Sequence, residues 1–172
     1  MELFLKRGYE QTTVAEIAEL AGLTQRTFFR HFADKREVLF GGSSRLEELL
    51  VRAVADARAE ATPIEAVAAG LEAAGEMFEE RRDFAQRRQA IIAANPELRE
   101  RELIKLAWLA TAMARALGGR GVQEPAATLT AEAGIAVFRV AFERWVDQRN
   151  ERPLTQLARA CLDELRSQLV GD

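Results

Sequence analysis

The chain has very little of the chemistry that metal sites and disulfide-stapled folds need. Its 172 residues include one cysteine, Cys161, and one histidine, His31. A single thiol cannot form an internal disulfide, and these two residues do not make a usual zinc-ligand set. The sequence therefore excludes a disulfide framework and predicts no metal and no cofactor.

Long apolar runs are also missing. No apolar stretch approaches the roughly 20 residues that a membrane-spanning helix needs. The first seven residues, MELFLKR, lack the basic start and apolar middle of a signal peptide. The sequence thus predicts a cytoplasmic protein with no membrane partner. With 48% hydrophobic residues, the chain can still enclose a core of its own.

Side chains suited to nucleophilic or acid–base catalysis are scarce. Serine occurs only as Ser43, Ser44 and Ser167, and the single histidine lies in a short polar helix described below. No nucleophile is paired with a base in a distinguishing context. We therefore predict no catalytic residue, and an enzyme is disfavoured.

The charge balance leaves nucleic-acid binding open. The net charge is −3, but residues 1–45 contain seven Lys and Arg against six Asp and Glu, whereas the remainder contains 17 against 21. The N-terminal part is thus slightly basic. This difference permits DNA binding by that part without indicating it.

Apolar residues recur every three or four positions between the four prolines, and no useful stretch alternates with a period of two. These features predict an all-α protein. Gly41-Gly42-Ser43-Ser44 is poor helix material, so a kink or break is expected there. About nine helices are predicted, over residues 1–8, 14–21, 25–32, 35–58, 63–81, 84–94, 97–117, 126–148 and 154–169.

The segment from Thr13 to Phe40 has the pattern of a helix-turn-helix. An apolar stripe predicts a first helix over 14–21, and Thr24 is placed to cap a second over 25–32. The residues between them, Gly22-Leu23-Thr24, predict a tight connection with a buried leucine. Two short helices joined in this way meet at a steep angle.

The second of these helices divides into an aromatic side and a polar side. We expect Phe28, Phe29 and Phe32 in the core. The opposite side suits DNA, because arginine bonds guanine, glutamine bonds adenine, and threonine contacts a thymine methyl or a phosphate. Residues at the start of such a helix reach deepest into the major groove. The polar side contains Arg26, Thr27, Arg30 and His31.

This segment resembles the DNA-binding domain of the TetR family of transcriptional repressors. The resemblance implies a helix-turn-helix domain over residues 1–45 that binds a palindromic, double-stranded operator. It also implies a larger helical domain over 46–172 that binds an effector and forms a homodimer. The residues that carry it are Thr12-Thr13-Val14, Ile17-Ala18, Ala21-Gly22-Leu23-Thr24, Thr27-Phe28-Phe29, His31-Phe32 and Lys35.

The resemblance implies roles for particular residues. Gln25, Arg26 and Thr27 would read bases, with Arg30 on the same polar side. Phe29 stands where the family often has a tyrosine whose hydroxyl reaches a phosphate. The first helix is shorter than the family usually has, as expected if the natural start lies upstream of Met1. The residues implied to hold phosphates are Thr13, Thr24, His31 and Lys35.

Large apolar residues on the middle helices predict a cavity for a small hydrophobic effector, although ordinary core packing is the alternative for each of them. They are Phe78, Phe84, Ile91, Trp108, Met113 and Phe138. A basic patch beside them would receive a carboxylate, phosphate or acyl-carrier head group, or would pair with Glu79, Glu80 and Asp83. The patch contains Arg81, Arg82, Arg87 and Arg88.

The last two helices offer more apolar surface than one packing face requires, so we predict that two subunits join through them with two-fold symmetry. Ligand binding would then respace the two recognition helices, with the long fourth helix as the lever. A transcriptional activator or a helical protein-interaction module remains the alternative. The predicted interface residues are Val137, Phe142, Trp145, Leu154, Leu157, Cys161 and Leu165.

Overall fold

The computed structural model describes residues 1–147 and 149–170, and every regular element in these residues is an α-helix. The all-α prediction is confirmed. The predicted end of one helix at residue 148 lies outside the described residues. In chain order the helices are α1 (Glu2–Arg7), α2 (Val14–Leu20), α3 (Gln25–His31), α4 (Glu37–Phe40), α5 (Ser43–Ala55), α6 (Pro63–Glu79), α7 (Arg82–Ala94), α8 (Pro96–Gly119), α9 (Ala126–Val146) and α10 (Leu154–Val170).

The predicted fourth helix is divided in two. α4 ends at Phe40 and α5 begins at Ser43, with the Ser43 hydroxyl donating to the Phe40 carbonyl at 2.7 Å. Gly41 and Gly42 separate them, because glycine is the weakest helix former after proline. The break expected at the glycine pair is present, and the single long lever is not.

Helices α5 to α10 pack around one large core. α6 is central and contacts α5, α9 and α10. Its start is fixed by Thr62, whose backbone N–H donates to the Glu65 carboxylate at 2.8 Å. Among the described residues no helix is both long and apolar enough to cross a bilayer. The largest fully buried side chains of this core are Trp145, Leu50, Met113, Leu117 and Leu154.

Two glycines allow α9 and α10 to approach α6 closely. A Cβ on Gly75 would lie 2.7 Å from Thr155 Cγ2 and 3.0 Å from the Thr155 backbone nitrogen. A Cβ on Gly134 of α9 would lie 2.4 Å from Val67 Cγ1. Any side chain here would force the helices apart, so these glycines set the distances from α6 to α10 and from α6 to α9.

The substitution Gly75→Ala is expected to destabilise the protein by about 1–3 kcal/mol, because the added methyl group meets backbone atoms that cannot rotate away. Thermal unfolding followed by circular dichroism measures this. Gly118→Ala is the control, since a Cβ there meets nothing within 4 Å at the end of α8. It should leave the melting temperature unchanged or raise it slightly. Equal melting temperatures for the two variants would contradict this packing.

The N-terminal helices share a core with the corner between α7 and α8. Ile92 and Leu98, on either side of that corner, are fully buried against N-terminal side chains. α1, the loop after it and α4 are therefore attached to α7, and Ile17 of α2 packs beside them. This shared core consists of Phe4, Tyr9, Leu39, Phe40, Ile91, Ile92 and Leu98.

Candidate functional site

Threonine caps begin both helices of the helix-turn-helix. Thr13 Oγ1 accepts the Glu16 N–H at 3.3 Å, and the Thr13 N–H donates to the Glu16 carboxylate at 2.9 Å. The hydrogen bonds that the Thr13 N–H and hydroxyl donate to the Glu16 carboxylate hold the pKa of Glu16 below its ordinary value. Thr24 Oγ1 accepts the Thr27 N–H at 3.2 Å. Gly22, at φ +66°, permits the turn between α2 and α3. The predicted motif is therefore present.

Helix α3 places most of the predicted DNA-contacting side chains in solvent. Phe28 is 2% exposed and packs on Phe32, with ring centroids 5.2 Å apart. Thr27 is half-buried beside the cap. The helix is thus fixed by its aromatic side and displays its polar side. The exposed residues in and beside it are Thr24, Gln25, Arg26, Arg30 and His31.

Two residues assigned to the core are instead on the surface. Phe29 is 54% exposed and Leu23 is 43% exposed. At 100° per residue, Phe29 falls between Gln25 and Arg26 around the helix, so its position follows from the helix period. The core prediction for Phe29 and Leu23 was wrong, and Phe29 joins the polar side as an apolar contact.

Lys35 is engaged within the chain. Its Nζ donates to the carbonyls of Tyr9, Glu10 and Thr12 at 2.9, 3.3 and 3.3 Å, and lies 4.3 Å from the centre of the Tyr9 ring. Burial and a hydrogen bond with Glu97 raise the pKa of the Tyr9 phenol. Lys35 therefore braces the loop between α1 and α2, rather than pointing freely toward a phosphate as predicted.

A cavity of about 1020 Å³ lies between α5, α6, α7, α8 and α9. Three of the predicted effector contacts, Phe78, Phe84 and Phe138, line it. Phe32 and the glycine pair at 41–42 also line it, so the cavity reaches the end of α3 and the break between α4 and α5. Apolar wall residues that the sequence did not identify are Leu46, Leu49, Met77, Leu103, Leu106, Leu109 and Phe142.

The other three predicted effector contacts do not line this cavity. Ile91 belongs to the shared core, and Met113 is fully buried in the large core. Trp108 is 52% exposed on the outside of α8, where Arg101 and Lys105 lie over its ring at 5.3 and 5.1 Å. The prediction was wrong for these residues, because helical spacing does not distinguish a cavity wall from a packed core.

Glu37, the first residue of α4, joins that short helix to α8. Its carboxylate lies 2.7 Å from Arg101 Nη2 and 3.2 Å from Lys105 Nζ. All three side chains are largely withdrawn from water, being 17–25% exposed. Ion pairs at such sites are screened less than surface pairs. The segment that follows the helix-turn-helix is thus held to the wall of the cavity.

Arg88 makes a second connection between α4 and the cavity. Its Nε donates to the Leu39 carbonyl at 2.7 Å, its Nη1 donates to Glu102 at 3.0 Å, and its guanidinium lies 4.9 Å from the centre of the Phe40 ring. Burial lowers the pKa of Arg88, although Glu102 opposes this. Arg88, Leu39, Phe40 and Glu102 all line the cavity.

The predicted basic patch is divided by the fold. Arg87 pairs with Asp83 at 2.9 Å on the surface, as one alternative held. Arg82 donates to the carbonyls of Trp145, at 2.9 Å, and Asn150. The remaining two members, Arg81 and Arg88, line the cavity. The patch therefore contributes two cations to the cavity wall.

Five of the seven residues predicted for the dimer interface pack inside the chain. Val137, Phe142, Trp145, Leu154 and Leu157 are 0–8% exposed and belong to the large core. The prediction was wrong for these five residues, because α9 and α10 pack these faces against other helices of the same chain. The other two, Cys161 and Leu165, are half-buried. The outward faces of α9 and α10 expose Leu129, Val140 and Leu169.

The fold and the site together define the class of protein. It is a helix-turn-helix protein whose second, larger domain is all-helical and contains a cavity. Two family models match the chain: "Bacterial regulatory proteins, tetR family" over residues 1–40, and "MftR C-terminal domain" over residues 61–170. The chain therefore belongs to the TetR family. It is a DNA-binding regulator of transcription and not an enzyme.

Comparisons with individual proteins agree with this membership. The chain is 42% identical over 73 residues to the HTH-type transcriptional regulator TcmR of Streptomyces glaucescens, a match covering 42% of this chain and 32% of TcmR. It is similar to the structure of the regulator PfmR from Thermus thermophilus, with 27% identity, 94% and 91% of the two chains covered, and a TM-score of 0.50.

Two further structures share the fold at lower identity. Thermus thermophilus FadR, solved in complex with lauroyl-CoA, is 23% identical, with 100% and 92% of the two chains covered and a TM-score of 0.62. FadR from Bacillus halodurans, a fatty acid degradation regulator, is 16% identical, with 99% and 92% covered and a TM-score of 0.60. At these identities the likeness establishes the fold alone.

Proposed function

We propose that this protein is a cytoplasmic, ligand-responsive transcriptional repressor that binds a palindromic operator as a homodimer and is released by a small hydrophobic effector. The observation that carries the proposal is the position of Phe32. This residue ends α3, the helix with the exposed polar side, and it also lines the cavity. A ligand at that end of the cavity would therefore contact the residue that caps the helix proposed to read DNA.

On the DNA side, Gln25, Arg26 and Thr27 are proposed to read base edges at the start of α3. Arg30 and His31 follow on the exposed surface, where they can contact phosphates. The caps Thr13 and Thr24 lie at the starts of α2 and α3 and contact phosphates nearby. Phe29, in place of a hydroxyl-bearing tyrosine, adds an apolar contact, such as one with a thymine methyl.

On the effector side, the size and apolar wall of the cavity support a hydrophobic ligand. A volume of about 1020 Å³ lies at the upper end of the range for small-molecule sites. Phe78, Phe84 and Phe138 supply aromatic contact area. The lauroyl-CoA complex of Thermus thermophilus FadR supports the same class of ligand, since that protein shares this fold.

The proposed mechanism has two states that differ in the placement of α4. In one, Glu37 and the Leu39 carbonyl are held to α8 and α7, and the two recognition helices have the spacing that an operator requires. In the other, the ligand shifts these attachments at the glycine break. A coupling of about 1–3 kcal/mol between the sites would change operator affinity roughly 5–150-fold.

The dimer is proposed to form through the outward faces of α9 and α10. Leu129, Ala136 and Val140 lie on one stripe of α9, since separations of 4, 7 and 11 residues fall on one helix face. Arg144 Nη1 lies 3.9 Å from Cys161 Sγ, so this stripe adjoins the half-buried edge of α10. Two such faces related by a two-fold axis would form a four-helix interface.

Selection of genomic fragments by the purified full chain, followed by affinity measurements across salt, tests the DNA side. We expect a palindrome. Arg30→Met should reduce the slope of log K against log salt by about two, because the proposed dimer loses one phosphate contact in each subunit. Lys35→Met should weaken binding by loosening the loop at Tyr9 and leave that slope unchanged. Weak binding without sequence preference by the wild-type chain would contradict the proposal.

A further inference from the structure

Three cations and two carboxylates meet where α4, α7 and α8 adjoin the cavity. We call them the charge cluster: Glu37, Arg88, Arg101, Glu102 and Lys105. Their side chains are 17–25% exposed, and the pairs within the cluster leave one positive charge in excess. A partly desolvated cation without an equal counter-charge is unfavourable. The charge cluster is therefore suited to accept one anion.

The cluster spans the edge between the cavity and the outer side of α8, where Arg101 and Lys105 also lie over Trp108. Arg88, Glu102 and Lys105 all line the cavity. On α8, Glu102, Lys105, Leu106 and Leu109 fall on one helix face, because their spacing is three, four and seven residues. Leu106 and Leu109 also line the cavity. One wall thus carries a cationic end that continues into an apolar stretch.

We infer that the effector is an amphiphilic acid whose anionic group docks between Arg88 and Lys105 and draws both cations away from α4. This inference rests on the proposed function and specifies its ligand. The apolar part lies along Leu106 and Leu109. The anion is a carboxylate of a free acid or a phosphate of an activated acyl group, since both offer oxygen acceptors to the same two cations.

In this arrangement, the atoms that bind the effector's anionic group are the same atoms that hold α4 in place. Arg88 now holds the Leu39 carbonyl at 2.7 Å, and Lys105 holds the Glu37 carboxylate at 3.2 Å. An anion between the two cations competes with both of these acceptors. A charged acceptor forms a stronger hydrogen bond with a guanidinium than a backbone carbonyl does. α4, at the break before Gly41, then loses two of its attachments while Arg101 retains its own.

Calorimetric titration of the full chain with three probes of equal chain length tests the inference. The probes are decanoate, decanoyl-CoA and neutral 1-decanol. We expect at least one acidic probe to bind about tenfold or more tightly than 1-decanol, from the extra charge-assisted hydrogen bonds. Preference for decanoate alone identifies a carboxylate source, and preference for decanoyl-CoA alone identifies a phosphate source. Both results support an acid.

Matched variants assign this preference to the cluster. In Arg88→Met the ratio of the affinity for the acidic probe to the affinity for 1-decanol should fall toward one. Arg87→Met, the adjacent arginine that pairs with Asp83 outside the cavity, should retain it. Arg88→Lys should restore part of it. If Arg88→Met does not fold by circular dichroism, Lys105→Met provides the same comparison.

The outcomes separate this inference from the function on which it rests. If 1-decanol binds as tightly as both acids, the acid inference is wrong and a hydrophobic effector still stands. If none of the three probes binds, both the effector function and the inference fail. If Arg88→Met and Lys105→Met both keep the full acid preference, the anion binds elsewhere and the inference is overturned.

Discussion

Replacing Arg26 with alanine is expected to weaken binding to the selected operator at least tenfold, because one bidentate arginine–guanine contact contributes about 1–3 kcal/mol of discrimination and the proposed dimer would make it twice. Arg26 is exposed on the second residue of α3, with the helix fixed behind it by Phe28. Fluorescence anisotropy with the operator and with a scrambled duplex measures the ratio of specific to non-specific affinity. That ratio should fall much more than the non-specific affinity itself.

Arg52→Ala is the control for this experiment. Its side chain is 85% exposed on α5, where it pairs with Asp56 and lies outside the helix-turn-helix. We expect its affinity for both duplexes to match that of the wild-type chain. Equal losses on both duplexes in Arg26→Ala would mean that Arg26 contacts phosphate, and no loss would remove it from the interface.

Replacing Ile92 with alanine is expected to destabilise the protein by about 2–5 kcal/mol, because a fully buried side chain is removed from the shared core. For a chain of this size the melting temperature should fall by about 5–15 °C. Amides of α1 and α4 should also exchange faster, since these helices share buried core residues with α7. Thermal unfolding and hydrogen exchange measure the two effects.

Ile104→Ala provides the matched comparison. Ile104 is 39% exposed on α8, so its loss should change stability by only about 0.5 kcal/mol. If Ile92→Ala were no more destabilising than Ile104→Ala, the shared core would contribute little. The helix-turn-helix would then be an independent unit.

The helix-turn-helix could be predicted because its determinants are local. Thr13, Thr24 and Gly22 act within a few residues of their own positions: Thr24 and Gly22 adopt the predicted cap and turn, and Thr13 caps α2. The break at Gly41 follows in the same way from intrinsic helix propensity. The position of Phe29 was also contained in the sequence, since the helix period places it between Gln25 and Arg26.

The remaining errors concern which helix faces are buried against other helices and which are exposed. α9 is apolar around most of its circumference, so periodicity did not separate the face of Trp145, which is buried in the chain, from the face of Val140, which is exposed. Core and cavity wall likewise present the same helical spacing. Met113 and Phe138 differ only in what packs beside them, and that is decided by helices distant in the sequence.

The charge cluster could not be anticipated from the sequence. Glu37 and Arg101 are 64 residues apart, and Arg88 reaches the Leu39 carbonyl across 49 residues. No local pattern predicts such pairs. The predicted division of the chain at residue 45 stays a prediction, and the packing of Leu39 and Phe40 with Ile91 and Ile92 crosses it.

The central claim is that occupation of the cavity and binding of the operator oppose each other. The most direct measurement is the affinity of the full wild-type chain for labelled operator DNA, by anisotropy, without ligand and at a concentration of the tighter-binding acidic probe that saturates the chain by calorimetry. We predict a loss of at least fivefold, and by linkage an equal loss of probe affinity on operator-bound protein. Unchanged operator affinity at a saturating probe concentration would contradict the account.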